Sequence, residues 1–241
     1  LNQGSALAPL LQRWERRVPL SDADRSAVLG LPFTRRSFSR DAYLVREGEP
    51  PAYCHLLVSG YAYRQKLVSN GMRQIISVHI PGELIDAQNM LLPVSDHNVQ
   101  SLGRCETAMV PVAVMSDLIT RYPAIGRAVW LDTLIDSSIF REWVVNVGRR
   151  SAQARIAHLL CELVLRMRIV GLCDGPSCDF PFTQEQIADA TGLTAVHTNR
   201  TLQVLRKSGL ISLSTNKLTV LDWDRLTEIG DFSELYLHHA A

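Results

Sequence analysis

The stretch Thr183–Ser208, TQEQIADATGLTAVHTNRTLQVLRKS, constrains this chain more than any other. Thr183 and Gln186 stand at the spacing of a reciprocal helix cap, which predicts a helix starting at Gln184. Ala188 is small enough for another helix to approach closely, and Gly192 is free to take the positive φ that a sharp turn requires. Thr194 can cap a second helix that runs to Lys207, with Gly209 ending it. Two helices joined this tightly have the layout of a helix-turn-helix DNA reader.

The second helix has two chemically distinct sides. At roughly 100° per residue, Ala195, Val196, Asn199, Arg200 and Gln203 gather on one side, and Thr198, Thr201, Leu202 and Leu205 on the other. The first side offers guanidinium and amide groups. Arginine can grip guanine O6 and N7 with two hydrogen bonds, and Asn or Gln can do the same to adenine N6 and N7. An ordinary amphipathic surface helix would show the same stripe. The caps, the Ala and the Gly at mutually consistent offsets favour the DNA reader.

Composition narrows the reading further. The chain has 241 residues, room for two domains with a core each. Its 25 Lys+Arg are nearly matched by 24 Asp+Glu, so DNA affinity must rest on a local basic surface. Arg200, Arg206 and Lys207 supply one, with Arg149, Arg150 and Arg155 upstream as candidate phosphate contacts. No apolar run reaches the ~18 residues of a membrane span and the N-terminus lacks a signal pattern, so the expectation is a cytoplasmic protein without a membrane partner. Five cysteines at irregular spacing argue against a disulfide framework and for a reducing compartment. Cys173 and Cys178, in a Gly/Pro-containing loop, are expected to be small, partly buried or idle thiols, with a redox or metal role as the alternative. No nucleophile elbow with a Ser-His-Asp order, no paired metal ligands and no phosphate-cradling glycine loop occurs, so no catalysis and no metal site are expected.

Taken in order, the chain opens on Leu7, Leu10, Leu11 and Trp14 at helical spacing. A second capping box, Ser21–Asp24, starts a helix that ends near Gly30. From Phe33 to about Val114 short β-branched and aromatic segments alternate with turns: Tyr43–Val45, Tyr53–Val58, Tyr61–Val68, Arg73–Ile80, Asn98–Leu102 and Thr107–Val112. Asn70-Gly71 is a type I′ hairpin signal between two of them. Many short strands at such intervals predict an antiparallel sandwich or barrel. A helix from Pro123 to Gly148 follows, apolar on nearly every side, so it must be covered on more than one face. Asp132 falls among its apolar positions and blurs any heptad register. Gly148–Ser151 reads as a hinge, Ala152–Met167 as an amphipathic helix, and Leu210–Leu213 with Lys217–Leu221 as a small hairpin or wing.

This order resembles the bacterial cyclic-AMP receptor protein and fumarate–nitrate regulator family of transcription factors. The likeness is carried by Pro81-Gly82-Glu83-Leu84, by Arg155–Leu160, and by Gly192-Leu193-Thr194 through Arg200. It implies an α+β fold: an N-terminal antiparallel β-roll of the cyclic-nucleotide-binding kind, a long dimerisation helix and a C-terminal winged helix-turn-helix. The implied boundaries are a lead-in over 1–20, the sensory roll over 21–120, the long helix over 121–148, the DNA-binding domain over 149–222 and a helical tail over 223–241. The implied function is a homodimer that binds a pseudo-palindromic double-stranded operator, with RNA polymerase as a partner if it activates. The resemblance makes Arg200 the guanine reader, places Asn199 and Ala195 at base-contacting positions, and Thr194 and His197 at phosphate contacts. Val196 stands where the two well-known branches carry glutamate, so the operator should differ from theirs.

In the sensory half, Gly82, Glu83, Leu84, Asp96 and His97 are the candidate effector residues. Cyclic-nucleotide binders carry an Arg-Ser pair for the phosphate where this chain has Ser95-Asp96-His97-Asn98-Val99, and an aspartate there argues against a nucleotide. No cysteine precedes Cys54, which argues against the oxygen-sensing branch's iron–sulfur cluster. The cofactor, if any, stays unknown. Three readings remain open: a regulator controlled by an effector or redox signal at the β-roll, a regulator with a vestigial sensor, and a cyclic-nucleotide-type binding module whose helix-turn-helix meets proteins.

Overall fold

The computed structural model describes residues 3–239; the outermost two residues of the expected N-terminal lead-in and of the C-terminal tail lie outside them. The chain divides into two compact units, one of residues 1–66, 78–137 and 238–241, the other of 67–77 and 138–237.

The first unit opens with helices α1 (Gln3–Glu15) and α2 (Asp22–Leu29). The capping box at Ser21 forms in both directions: its hydroxyl accepts from Asp24 N and the Asp24 carboxylate accepts from Ser21 N. Eight strands follow in the chain, β5 lying mostly in the second unit: β1 (Thr34–Phe38), β2 (Tyr43–Val45), β3 (Tyr53–Ser59), β4 (Ala62–Leu67), β5 (Arg73–His79), β6 (Leu84–Ile85), β7 (Asn98–Ser101) and β8 (Cys105–Pro111). They form two sheets, ordered β1-β8-β3-β6 and β2-β7-β4-β5. Pairing is antiparallel from β1 and β3 to β8, from β6 to β3, and from β2 and β4 to β7. The expected sandwich is therefore present. Strand β1 carries no apolar alternation because it is an edge strand paired only to β8, and its polar Thr34-Arg35-Arg36-Ser37 faces water.

Period-two alternation builds two cores. On β3 and β8, Cys54, Leu56, Ala108 and Val110 face a cluster made with Leu7, Leu10 and Trp14 of α1. The opposite face gives Leu57 and Cys105 to a second cluster, with Phe38 and Ile85 of the same sheet and Ala62 and Val99 of the facing one. Each fully buried leucine of this kind contributes about 1.5–3 kcal/mol. The N-terminal lead-in is thus part of the core. Gly60, between β3 and β4, is a required glycine, because a Cβ there would lie 2.4 Å from the Arg104 carbonyl oxygen and φ is +75°.

Two expectations need correction here. The Asn70-Gly71 hairpin is not a two-residue type I′ turn. Only Gly71 takes a positive φ (81°), and Val68 N donates to Met72 O at 2.9 Å across a three-residue loop. A ten-residue helix, α3 (Val112–Arg121), also intervenes before the long helix. Tyr122 separates the two, and Pro123 opens α4 (Pro123–Arg149) at the position where a missing N–H costs nothing.

The second unit contains the C-terminal part of α4, then α5 (Ala152–Ile169), β9 (Cys173–Asp174), β10 (Ser177–Asp179), α6 (Gln184–Thr191), α7 (Ala195–Lys207), β11 (Ile211–Ser214), β12 (Lys217–Val220) and α8 (Trp223–Ile229). Ile156, Leu159, Leu160, Leu163, Val164 and Met167 of α5 are all buried, as the stripe predicts. The wing hairpin is extended by two strands into a sheet ordered β11-β12-β10-β9. Cys173 and Cys178 are not idle thiols: antiparallel pairing sets them opposite each other with Cα atoms 4.3 Å apart, and they form a disulfide. Sequence spacing could not show this, because the pairing depends on a two-residue turn at Gly175-Pro176. Among the described residues no helix is long and apolar enough to cross a membrane.

Candidate nucleic-acid interface

The turn between α6 and α7 is built as its sequence dictates. Thr183 Oγ1 accepts from Gln186 N at 3.1 Å and Gln186 Oε1 accepts from Thr183 N at 2.9 Å. Gly192 caps α6 at φ 64°, and Leu193 N returns to Ala188 O at 3.1 Å. Space is not the reason for this glycine, since a Cβ added there would meet nothing closer than Arg155 Nη1 at 3.6 Å; the positive φ is. Thr194 Oγ1 accepts from His197 N at 3.2 Å and starts α7.

Helix α7 buries Thr198, Thr201, Leu202 and Leu205 and exposes Ala195, Val196, His197, Arg200 and Gln203, while Asn199 is half-buried. Its cap Thr194 is exposed as well. Six of the seven sequence-selected residues are therefore exposed and Asn199 half-buried, with Ala195, Val196, Asn199, Arg200 and Gln203 along one edge of the helix. They are not equivalent. Gln203 Nε2 donates to Asn199 Oδ1 at 2.9 Å, and Asn199 Nδ2 donates to Gln184 Oε1 at 2.8 Å. This chain of amides fixes Asn199 and engages both ends of its side chain. Arg200 makes no ion pair or side-chain hydrogen bond among the described residues, so its guanidinium is available outward. Val196, 64% exposed, and Val204 flank it with apolar surface fit for a thymine methyl.

Beside this edge lies a cleft of about 650 Å³, lined by Ser151, Ala152 and Gln153 and by Thr194, Val196, His197, Arg200, Thr201 and Val204. Ser151 caps α5, its Oγ accepting from Ala154 N at 3.3 Å, and Thr194 caps α7. Two helix N-termini thus border one cleft, each with unpaired N–H groups and a positive dipole end suited to phosphate. The cap at the start of α5 was not read from the sequence, where 148–151 reads only as a hinge; a Ser directly before an amphipathic stripe was the available signal. Two of the upstream arginines are occupied elsewhere. Arg150 Nη2 pairs with Glu142 at 2.6 Å and Asp231 at 3.1 Å, and Arg155 donates to the carbonyls of Arg150 (2.9 Å) and Thr191 (3.1 Å). Arg155 is a strut under the turn. Arg149 is exposed.

The candidate effector residues of the roll fall into two buried charge clusters. Gly82 (φ 91°) packs its backbone against Pro9. Glu83, which follows it before Leu84 opens β6, is buried, with Oε1 3.3 Å from Arg13 Nη1 and Oε2 3.3 Å from His79 Nδ1. Asp132, whose position blurred the heptad, accepts from Trp14 Nε1 at 2.8 Å and pairs with Arg13 and Arg17. In the second cluster Arg64 of β4, only 2% exposed, donates to Asp86 Oδ1 at 2.6 Å and to Asp136 Oδ2 at 2.9 Å. His97 completes it, with Nε2 2.9 Å from Asp86 Oδ2 and Nδ1 2.6 Å from the exposed Asp96. Burial alone would raise the Asp86 carboxyl, but the Arg64 guanidinium and the His97 hydrogen bond outweigh it and hold it well below the carboxylate range. Burial pulls His97 down, and the Asp86 hydrogen bond and charge more than compensate, leaving it raised. Sequence inspection missed Arg64 and Asp86, which belong to no motif. The described thiols of the roll, Cys54 and Cys105, are buried and pushed up to about 12 and about 11.

Residues 35–122 match the cyclic nucleotide-binding domain family and residues 154–229 the Crp-like helix-turn-helix domain family. The chain is 26% identical over 219 residues to the transcriptional activator protein FnrL of Cereibacter sphaeroides, covering 88% of this chain and 87% of that one. It is 24% identical over 213 residues to the nitrogen fixation regulation protein FixK of Azorhizobium caulinodans, covering 87% and 85%. The structure of FixK2 from Bradyrhizobium japonicum superposes with a TM-score of 0.75 at 23% identity, covering 83% of this chain and 98% of that one.

Proposed function

Because the chain belongs to the Crp/Fnr family of transcription regulators, which is not a family of enzymes, we propose that it reads a two-fold symmetric operator as a homodimer, with Arg200 as the guanine-reading side chain. The observation that carries this is the exposed, unpartnered Arg200 between Val196 and Val204, beside a cleft bordered by two helix N-termini. Arg200 takes guanine O6 and N7, Val196 packs on a thymine methyl, and Thr194, His197 and the start of α5 hold phosphates. Gln203 and Asn199 act as one unit, so a contact from Asn199 to adenine requires the amide chain to re-pair. Ala195 allows the backbone to approach. The protein works in the cytoplasm, where its DNA is.

Selection of duplexes from a random library by the purified protein tests this reading. The expected product is a pseudo-palindrome with half-sites one helical turn, about 10 base pairs, apart. Arg200→Ala should lose about 1–3 kcal/mol of discrimination at one base pair in each half-site. An unchanged ratio of selected to random affinity would remove Arg200 from the role.

A second reading concerns the roll. The residues there do not fit a cyclic nucleotide: among the described residues of the roll the buried Arg64 is already paired to Asp86 and Asp136, and the exposed Asp96 carboxylate stands on His97. A phosphate would have to displace a carboxylate from its strongest partner. The roll is therefore proposed to act without a nucleotide, Asp86 supplying from within the chain the negative charge that Arg64 requires. Thermal unfolding with and without cyclic AMP should give the same midpoint, whereas a rise with ligand concentration would contradict the proposal.

A further inference from the structure

The Cys173–Cys178 disulfide belongs to the DNA-binding unit but takes no part in reading DNA. We propose that it is a reversible redox site: its oxidised form ties the wing sheet to helix α5 and its reduced form releases that tie, so that DNA affinity follows the thiol–disulfide state. The proposal rests on the DNA-reading function above, which places the protein where the thiol pool is reducing. Disulfides in such a compartment are usually transient, catalytic or sensing rather than permanent braces.

The disulfide is placed to transmit its state. Cys178 is the middle residue of β10, paired to Cys173 of β9 on one side and to Leu218 of β12 on the other. Pro176 O accepts from Val220 N at 3.0 Å and Asn216 O accepts from Phe180 N at 2.8 Å, so β10 and the wing hairpin move as one piece. On the other side Cys173 Sγ lies 3.9 Å from Val164 O, and Leu172 N donates to Met167 O at 2.9 Å, anchoring β9 to α5. Strand β9 is only two residues long and β10 is its sole strand partner, so few backbone bonds remain when the sulfurs part. The same sheet backs the recognition helix: Leu210, at its start, donates to Leu205 O at 3.1 Å and accepts from Leu221 N at 2.9 Å. Loosening the sheet therefore reaches the C-terminal end of α7.

The chemistry is ordinary exchange with a low-molecular-weight thiol. Cys178 is 2% exposed and Cys173 is half-buried beside exposed Asp174, Gly175 and Pro176, so an external thiolate attacks Cys173 Sγ. The Cys173–Cys178 bond breaks, Cys178 leaves as a thiolate and takes a proton, and a mixed disulfide remains on Cys173. A second thiolate attacks the external sulfur and frees Cys173, which takes the second proton. Two electrons and two protons pass to the protein, and two external thiols become one external disulfide. Oxidation is the reverse. The other three thiols, Cys54, Cys105 and Cys161, are buried, so an external thiol does not reach them.

Full-length protein equilibrated in glutathione buffers of graded ratio, then alkylated and mapped by mass spectrometry, gives the fraction of Cys173–Cys178 oxidised. Fluorescence anisotropy in the same buffers, against the duplex the protein selects from a random library and against a scrambled duplex, gives affinity. The expected result is a fall of about five-fold or more in affinity for the selected duplex on reduction, within the usual range of coupling between sites, at the midpoint where the disulfide opens. Cys173→Ser with Cys178→Ser should stay at the reduced value in every buffer. If that variant does not fold, wild-type protein in reducing buffer carries the comparison. A disulfide that survives the most reducing buffer, or opens with affinity unchanged, overturns the switch and leaves the DNA reading intact. A protein that fails to separate the selected from the scrambled duplex in either redox state overturns the DNA reading, and the switch with it.

Discussion

Arg64 and Asp86 have no route to solvent, and each needs the other. Asp86 takes a left-handed backbone (φ 56°), which aspartate tolerates better than most residues, to bring its carboxylate onto the guanidinium. Arg64→Met alone leaves that carboxylate buried without its main counter-charge and should cost about 3–5 kcal/mol in urea unfolding. Adding Asp86→Asn should recover much of the loss; a double variant as unstable as the single one would show that the pair is not the cause. His55 makes the pH prediction. Burial, with Arg36 adding to it against the opposing Asp86 charge, holds its imidazole down at about 4. The unfolded chain therefore binds a proton below about pH 6.5 that the folded chain refuses until about pH 4, and stability falls as pH falls through that window. Between pH 7 and 5 this group removes about 2 kcal/mol, so His55→Gln should flatten the pH dependence of urea unfolding by that amount. An unchanged slope would place the acid sensitivity elsewhere, with His158, also lowered by burial, the next candidate.

At the scale of elements, the helix-turn-helix rests on local signals that act independently. Thr183→Ala removes one side of the capping box and should cost about 1 kcal/mol. Gly192→Ala meets no collision but must hold φ 64°, and should cost about 1 kcal/mol, measured by thermal unfolding of the full chain. The two losses should add, because the residues sit at opposite ends of α6. This element was fully legible in the sequence because caps, turn glycine and helix periodicity all act within a few residues of one another. The wing was legible only in part. Its hairpin follows from alternation, but β9 and β10 arise from pairing across a loop with no strand signal, and the disulfide with them.

For the molecule as a whole, α4 is the helix that runs from the first unit into the second. Its inward residues Ile125, Ala128, Val129, Ile135, Ile139 and Trp143 are buried, and Asp132 is bound to Trp14 and two arginines. Among its outward residues Trp130, Leu134, Arg141, Val144 and Gly148, with the half-buried Ser137, are spaced four and three residues alternately, the interval of a two-helix seam. Trp130 is 66% and Val144 68% exposed, which makes this stripe the candidate surface for the proposed homodimer. Trp130→Asp with Val144→Asp should convert dimer to monomer in sedimentation equilibrium and abolish tight operator binding while leaving the circular dichroism spectrum unchanged. A double variant that remains dimeric would exclude the seam.

The sequence by itself determined what local chemistry can encode: the capped helices, the turn at Gly192, the polar edge of α7 and the alternating strands of the roll. Its family resemblance carried the order of the parts. Tertiary structure alone decided which residues meet at long range. It turned Asp132 from a flaw in a heptad into the inward side of α4, placed Asp86 where Arg64 required an anion, gave Arg150 and Arg155 partners within the chain, and joined Cys173 to Cys178. The physical reason is common to all four. A charge or a thiol takes its role from the partner that burial forces upon it, and that partner is chosen by packing between segments distant in the chain or by a turn with no strong signal of its own.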